Sequence, residues 1–189
     1  NRYSEINLSQ WKLLELGKLT REEVLVRRYE ILFQEVGMSC DAKKISEKYE
    51  DFLGEGHYFI PGAKELLEDL SKKYHLYLAS NGAVKVQMSR IKSAGIEKYL
   101  EKIFLSEQIG YEKPSPQFFE KCFAQIPDFK KEEALILGDS LTSDIRGGKN
   151  AGILTVWFHP SGKKVEEEIV PDYEIGKLEE LKTILSFYS

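Results

Sequence analysis

The sequence has few cysteines, no long apolar run and no excess of positive charge, and each shortage excludes a class of protein. Its two cysteines, Cys40 and Cys122, stand far apart and outside any Cys-x-x-Cys or Cys/His metal spacing, which favours a reducing, cytoplasmic setting. No stretch approaches the roughly 18 consecutive apolar residues of a membrane span, and no charged-then-apolar leader is present. We therefore expect neither membrane insertion nor secretion.

Acidic side chains outnumber basic ones. With 31 Asp and Glu against 27 Lys and Arg, the formal net charge is -4, so no basic excess is available to hold nucleic acid by counterion release. We expect no nucleic-acid partner. The 189 residues suffice for one α/β domain, or for a core with a small accessory domain, and they indicate no particular oligomeric state.

The first part of the chain contains no strand pattern. From about residue 4 to residue 55, apolar side chains recur at the three-to-four spacing of helices. Thr20 and Glu23 form a capping box, Gly37 suits a helix end, and a third helix is predicted around residues 42–53. Glycines then interrupt the pattern near residues 54–60. We predict a helical domain over residues 1–56 and a second domain over residues 57–189.

The second domain alternates short apolar runs with helical segments, which predicts a parallel sheet with crossover helices. The candidate strands are residues 76–79, 103–105, 134–137 and 155–158. In open parallel sheets, ligands bind at the carboxyl ends of the strands. The residues that follow these runs are therefore the candidates for function.

Ser80-Asn81-Gly82 follows the first strand and precedes a helical segment. A hydroxyl group and exposed backbone amides at such a place can hold a phosphate. The alternative is a helix N-cap followed by a turn glycine.

Lys113 stands in a loop, directly before Pro114 and a predicted helix start near Ser115. A lysine held there could neutralise a phosphate and a neighbouring carboxylate. The alternative is a solvated loop lysine.

Asp139 and Asp144 follow the third strand, after Gly138. Magnesium takes oxygen ligands and keeps several waters, so one or two carboxylates and a substrate phosphate are sufficient to bind it. The alternative is that Asp139 caps the next helix and that Asp144 is a surface acid.

Together and in this order, the three elements resemble the motifs of the haloacid dehalogenase superfamily. The resemblance implies a Rossmann-like, three-layer α/β core with an inserted α-helical cap, here residues 1–56. It also implies that Ser80 binds phosphate, with the backbone amides of Asn81 and Gly82, that Lys113 is the catalytic lysine, and that Asp139 and Asp144 bind Mg²⁺.

Residues 109–114, 138–148 and 156–160 are similar to the bacterial branch that acts on pyrimidine nucleoside 5′-monophosphates. This finer resemblance implies a small phosphorylated substrate, a nucleotide, and hydrolysis through an aspartyl-phosphate.

The family's nucleophile motif, Asp-x-Asp-x-Thr after an apolar strand, is absent from the sequence. Asp41, Asp51 and Asp69 lie in helical stretches without a second acid at the required spacing. We expect the motif and its strand to lie upstream of Asn1, and the 189 residues alone to be inactive. The family places that strand centrally, so we expect the strands that end near Ala79 and Leu137 to lie about two strand spacings, roughly 9–10 Å, apart.

Three other functions share these residues. The pattern also resembles that of metal-free 2-haloacid dehalogenases, but these enzymes usually have a non-acidic residue at the position of Asp139. A phosphosugar mutase would share every motif present. A non-catalytic module is the third alternative, and the presence of Ser80, Lys113 and Asp139 argues against it.

Overall fold

The computed structural model describes residues 1–162 and 168–188. Its helices are α1 (Arg2–Glu15), α2 (Arg21–Glu35), α3 (Ala42–Glu55), α4 (Ala63–Leu70), α5 (Val84–Ala94), α6 (Ser106–Ile109), α7 (Pro116–Phe123), α8 (Arg146–Ala151) and α9 (Leu181–Leu185). Its strands are β1 (Tyr77–Ser80), β2 (Lys102–Leu105), β3 (Leu135–Gly138), β4 (Leu154–Phe158) and β5 (Tyr173–Ile175). A π-helical turn, Leu141–Ile145, connects β3 towards α8. No helix of this described part is long and apolar enough to cross a bilayer.

Helices α2 and α3 lie close to the predicted positions, and α1 covers part of the segment with helical periodicity. The capping box is present, because Glu23 N donates to Thr20 Oγ1 at 3.3 Å and Thr20 N donates to Glu23 Oε2 at 2.7 Å. Gly37 has a φ of +67°, a conformation that suits glycine after a helix. Helix α3 extends to Glu55, slightly beyond the predicted end. The boundary between domains at residue 56 stays a prediction.

A buried arginine joins the three helices. Arg28 on α2 is 3% exposed and donates to Asn7 Oδ1 on α1 and to Glu50 Oε1 on α3, each at 3.0 Å. Its guanidinium also lies 5.1 Å from the ring centroids of both Tyr29 and Tyr49. These contacts fix the three helices around one charged group.

Replacing Arg28 with alanine should destabilise the protein by about 3–5 kcal/mol, because it leaves Glu50 partly buried without its counter-charge. Urea unfolding of the wild-type protein and the variant measures this loss. Arg2→Ala is the matched control: Arg2 also bridges α1 and α2 through Glu35, but the pair is exposed, and solvent screening leaves such surface pairs with little effect on stability. Equal losses for the two variants would contradict a structural role for the buried network.

The strands of the described residues form two sheets, and each pair within a sheet is parallel. Strand β1 pairs with β2, and β4 lies between β3 and β5. Among the residues that the structure describes, β1 and β3 do not pair. This confirms the expectation that the two strands are not neighbours, while their predicted separation stays a prediction. Strand β5 was not predicted, because Tyr173–Ile175 is a short strand without an apolar run.

Helices cover both faces of the strands. Leu135 and Leu137 pack on one side of β3, in a core that includes Leu66 of α4 and Leu181 of α9. Ile136 points to the opposite side, as alternation along a strand requires. There it joins a second core that includes the side chains Tyr77, Ala79, Phe104, Phe118, Phe119, Cys122 and Ala151. This core contains residues of β1, β2 and β3, so it holds the two sheets together beneath α7 and α8. The predicted three-layer α/β core is confirmed.

Candidate active site

Two strands end at residues with predicted functions. Ser80 is the last residue of β1, and Gly138, directly before Asp139, is the last residue of β3. The two ends lie close together, because one side chain, that of Lys113, contacts both the Ala79 carbonyl and Asp144. Strand β2 leads through α6 to the loop that carries Lys113.

Lys113 links the two sheets. Its side chain is buried, and its Nζ donates to the carbonyl of Ala79 at 2.7 Å and to Asp144 Oδ1 at 2.6 Å. The Asn81 side chain forms two hydrogen bonds with the backbone of Lys113. It accepts from the Lys113 N–H and donates to the Lys113 C=O, each at 2.9 Å. The alternative of a solvated loop lysine is therefore wrong. The ammonium group is held in one position between the ends of β1 and β3.

Asp144 is buried in the π-helical turn. Its Oδ1 accepts from Lys113, and its Oδ2 accepts from the Ser140 N–H at 3.1 Å. A Cβ atom at position 138 would lie 2.3 Å from the Asp144 Cβ, so only glycine leaves room for this carboxylate. Asp144 is not a surface acid. Both of its oxygens already have donors, and its predicted role as a metal ligand stays a prediction.

Asp139 differs from Asp144 in its exposure and in its hydrogen bonding. It is exposed, and its carboxylate makes no hydrogen bond or ion pair with any residue in the ranges 1–162 and 168–188. Ser140, not Asp139, caps the following turn, since its Oγ accepts from Ser143 N at 3.1 Å. The alternative of Asp139 as an N-cap is therefore wrong, and its carboxylate is available for a ligand.

Ser80 forms a tight turn. Its Oγ accepts from the Gly82 N–H at 3.0 Å, which leaves the hydroxyl hydrogen free to be donated. Helix α5 begins later, at Val84, and its first amide donates to Glu107 Oε2 at 2.9 Å, so Ser80 is not its N-cap. The Gly82 amide is engaged with Ser80. Phosphate binding by the amides of Asn81 and Gly82 stays a prediction.

A known protein family matches most of the chain. The family model described as haloacid dehalogenase-like hydrolase matches residues 3–158. The chain belongs to the haloacid dehalogenase-like hydrolase family.

Two relatives with known names match nearly the whole chain. The HAD-hydrolase YfnB of Bacillus subtilis is 42% identical over 98% of this chain and 79% of its own. The pyrimidine 5′-nucleotidase PynA of Streptococcus pneumoniae is 37% identical over 95% of this chain and 76% of its own. A crystal structure of YfnB bound to magnesium superposes with a TM-score of 0.92, covering 97% of this chain and 80% of that one. The resemblance inferred from the motifs is confirmed.

The donor set of this haloacid dehalogenase-like hydrolase fits a magnesium ion. No cluster of three or more His, Cys, Asp or Glu side chains that could hold a metal occurs in the described residues. Magnesium does not need one, because it binds through one or two carboxylates and completes its shell with water and substrate phosphate. Asp139 provides such a carboxylate, and no cation in the described part of the chain pairs with it.

The helical segment meets the hydrolase core beside the site. Arg21 Nη2 donates to Ser106 Oγ at 2.6 Å and to Glu112 Oε1 at 2.8 Å, next to Lys113. A cleft of about 560 Å³ lies along this contact, lined by Glu15, Glu112, Lys113 and Arg146 among others. Burial raises the pKa of the Glu15 carboxyl, while Thr142 and Arg146 oppose that shift. Sequence reasoning missed these contacts, because they join positions far apart in the chain.

Two further contributions were missed. The Asn81 side chain positions Lys113, and the Trp157 indole donates to the Asp139 carbonyl at 3.0 Å. Both residues stand within the motifs that carry the family resemblance. Only their position at strand ends could have indicated a role.

Proposed function

We propose that this protein is a Mg²⁺-dependent phosphomonoester hydrolase that acts on a nucleoside 5′-monophosphate through an aspartyl-phosphate intermediate. One observation carries the proposal. The buried Lys113 ammonium is held between the end of β1 and Asp144, and Asp139, directly after the end of β3, has an exposed carboxylate without a partner among residues 1–162 and 168–188. A fixed positive charge and a free metal-binding carboxylate are what a transferring phosphoryl group requires.

Each residue then has a distinct role. Lys113 offsets negative charge on the phosphoryl group, and the Ser80 hydroxyl donates a hydrogen bond to one of its oxygens. Asp139 would hold Mg²⁺, which supplies further charge neutralisation when bound. Asp144 orients Lys113. The attacking aspartate of this mechanism would come from outside the 189 residues.

The substrate class rests on the likeness to PynA, whose name states a pyrimidine 5′-nucleotidase activity. The metal-free dehalogenase alternative is less favourable, because it gives no role to the free Asp139 carboxylate. A phosphosugar mutase would use the same residues, and a substrate test separates it from a phosphatase.

We expect the full-length protein to release phosphate from UMP and CMP in the presence of Mg²⁺. Chelation by EDTA should lower this turnover by at least about 100-fold, because the phosphate charge then lacks its cation, and added Mg²⁺ should restore it. Phosphate release is measured directly. Halide release from 2-chloropropionate with EDTA present, or conversion of glucose 1-phosphate to its 6-phosphate, would instead support the alternatives and contradict the proposal.

A further inference from the structure

Trp157 lies directly beside the end of β3. It stands on β4, paired in register with Gly138, and is 8% exposed. From there its indole Nε1 donates to the backbone carbonyl of Asp139 at 3.0 Å. The acceptor belongs to Asp139, whose carboxylate has no partner within residues 1–162 and 168–188.

The indole is itself held in place. The His159 ring stacks on it with centroids 3.9 Å apart and an angle of 16° between the planes. His159 is anchored in turn, since its Nδ1 lies 2.8 Å from Glu174 Oε1 and its Nε2 lies 2.7 Å from Ser161 Oγ. The Nε1–H therefore points in one fixed direction.

Trp157 also supports the turn that carries Asp144. Its ring packs in a small buried cluster with Leu141 and Ile145, the first and last residues of the π-helical turn. One side chain thus contacts the backbone of Asp139 and both ends of the turn around Asp144. A displacement of the indole would move both acids.

We propose that Trp157 is a positioning residue for the metal site, which orients Asp139 for Mg²⁺ through the hydrogen bond to its carbonyl. The inference rests on the proposed function in taking Asp139 as the magnesium ligand. An exposed carboxylate without partners has no side-chain contact to orient it, so its direction depends on its backbone. Groups that orient a ligand in this way commonly change metal affinity 10–100-fold when they are removed.

A purely structural role makes a different prediction. A buried indole N–H needs some acceptor, and removing it would then lower stability without changing metal affinity. Magnesium affinity therefore separates the two roles, whereas a melting temperature does not.

The first experiment compares Mg²⁺ binding by the full-length wild-type protein, Trp157→Phe and Trp11→Phe in titration calorimetry. Phenylalanine keeps an aromatic ring against His159 but lacks the N–H. We expect Trp157→Phe to bind Mg²⁺ about 10–100-fold more weakly. Trp11→Phe is the matched control, because Trp11 also donates through its indole, to Asn7 Oδ1 at 3.2 Å, but lies on α1. The Mg²⁺ affinity of the Trp11→Phe protein should equal that of the wild-type protein.

A second measurement leaves Trp157 in place. The 189 residues contain two tryptophans, Trp11 and Trp157. In a full-length variant with Trp11→Phe, and with phenylalanine at any tryptophan outside these residues, the emission comes from Trp157 alone. Its fluorescence should change on Mg²⁺ addition, with the midpoint found by calorimetry. This result does not depend on whether Trp157→Phe folds.

The outcomes separate the inference from the proposed function. Wild-type affinity in Trp157→Phe, or constant Trp157 emission while calorimetry records binding, would overturn the inference alone. Failure of the wild-type protein to bind Mg²⁺ would overturn the proposed magnesium site, and the inference with it.

Discussion

Replacing Asp139 with asparagine in the full-length protein should lower Mg²⁺-dependent phosphate release by at least about 100-fold at low Mg²⁺. The reason is that the Asp139 carboxylate, directly after the end of β3, has no partner among the residues that the structure describes, while both oxygens of Asp144 already accept hydrogen bonds. Losing one charge from a site with so few carboxylates strongly weakens the binding of Mg²⁺. Phosphate release as a function of Mg²⁺ concentration measures the change.

Asp128→Asn is the matched control for this substitution. Asp128 is also exposed, and its φ of +50° is a conformation that asparagine tolerates well. The Asp128→Asn substitution should leave both the turnover and its dependence on Mg²⁺ unchanged. An Asp139→Asn protein with wild-type activity at low Mg²⁺ would exclude Asp139 as a ligand.

Replacing Lys113 with methionine should affect stability and activity together. It leaves Asp144 buried without its counter-charge, which is expected to cost about 3–5 kcal/mol in unfolding free energy. It also removes the positive charge that stabilises the phosphoryl group, with an expected loss in turnover of about 10²–10³-fold. Urea unfolding and phosphate release measure the two effects separately.

The double variant Lys113→Met, Asp144→Asn distinguishes these effects. Asparagine at position 144 carries no charge, so much of the lost stability should return, whereas turnover should remain low. Recovery of activity along with stability would show that Lys113 acts only as a structural partner of Asp144. A single Lys113→Met variant as stable as the wild-type protein would contradict the buried ion pair.

Local patterns predicted most of the elements. The Thr20–Glu23 capping box, the helix end at Gly37 and four strands were predicted because each depends on residues close together in sequence. Strand β5 has no such signal. It forms because it pairs with β4, next to Asp172, whose carboxylate accepts from the Thr155 N–H at 2.9 Å and from its hydroxyl at 2.7 Å.

By itself the sequence determined which residues stand at the strand ends, because strand periods and turns are local properties. Only the tertiary structure decided which of their atoms remain available. Asn81 forms a hydrogen bond with Lys113, 32 positions away, and Lys113 forms one with Asp144, 31 positions away. Trp157 donates to Asp139, 18 positions away. Sheet register and the course of the loops set such contacts, and no local spacing encodes them. This is why the sequence alone does not distinguish Asp139 from Asp144, whereas in the described part of the fold the Asp139 carboxylate has no partner and the Asp144 carboxylate has two donors.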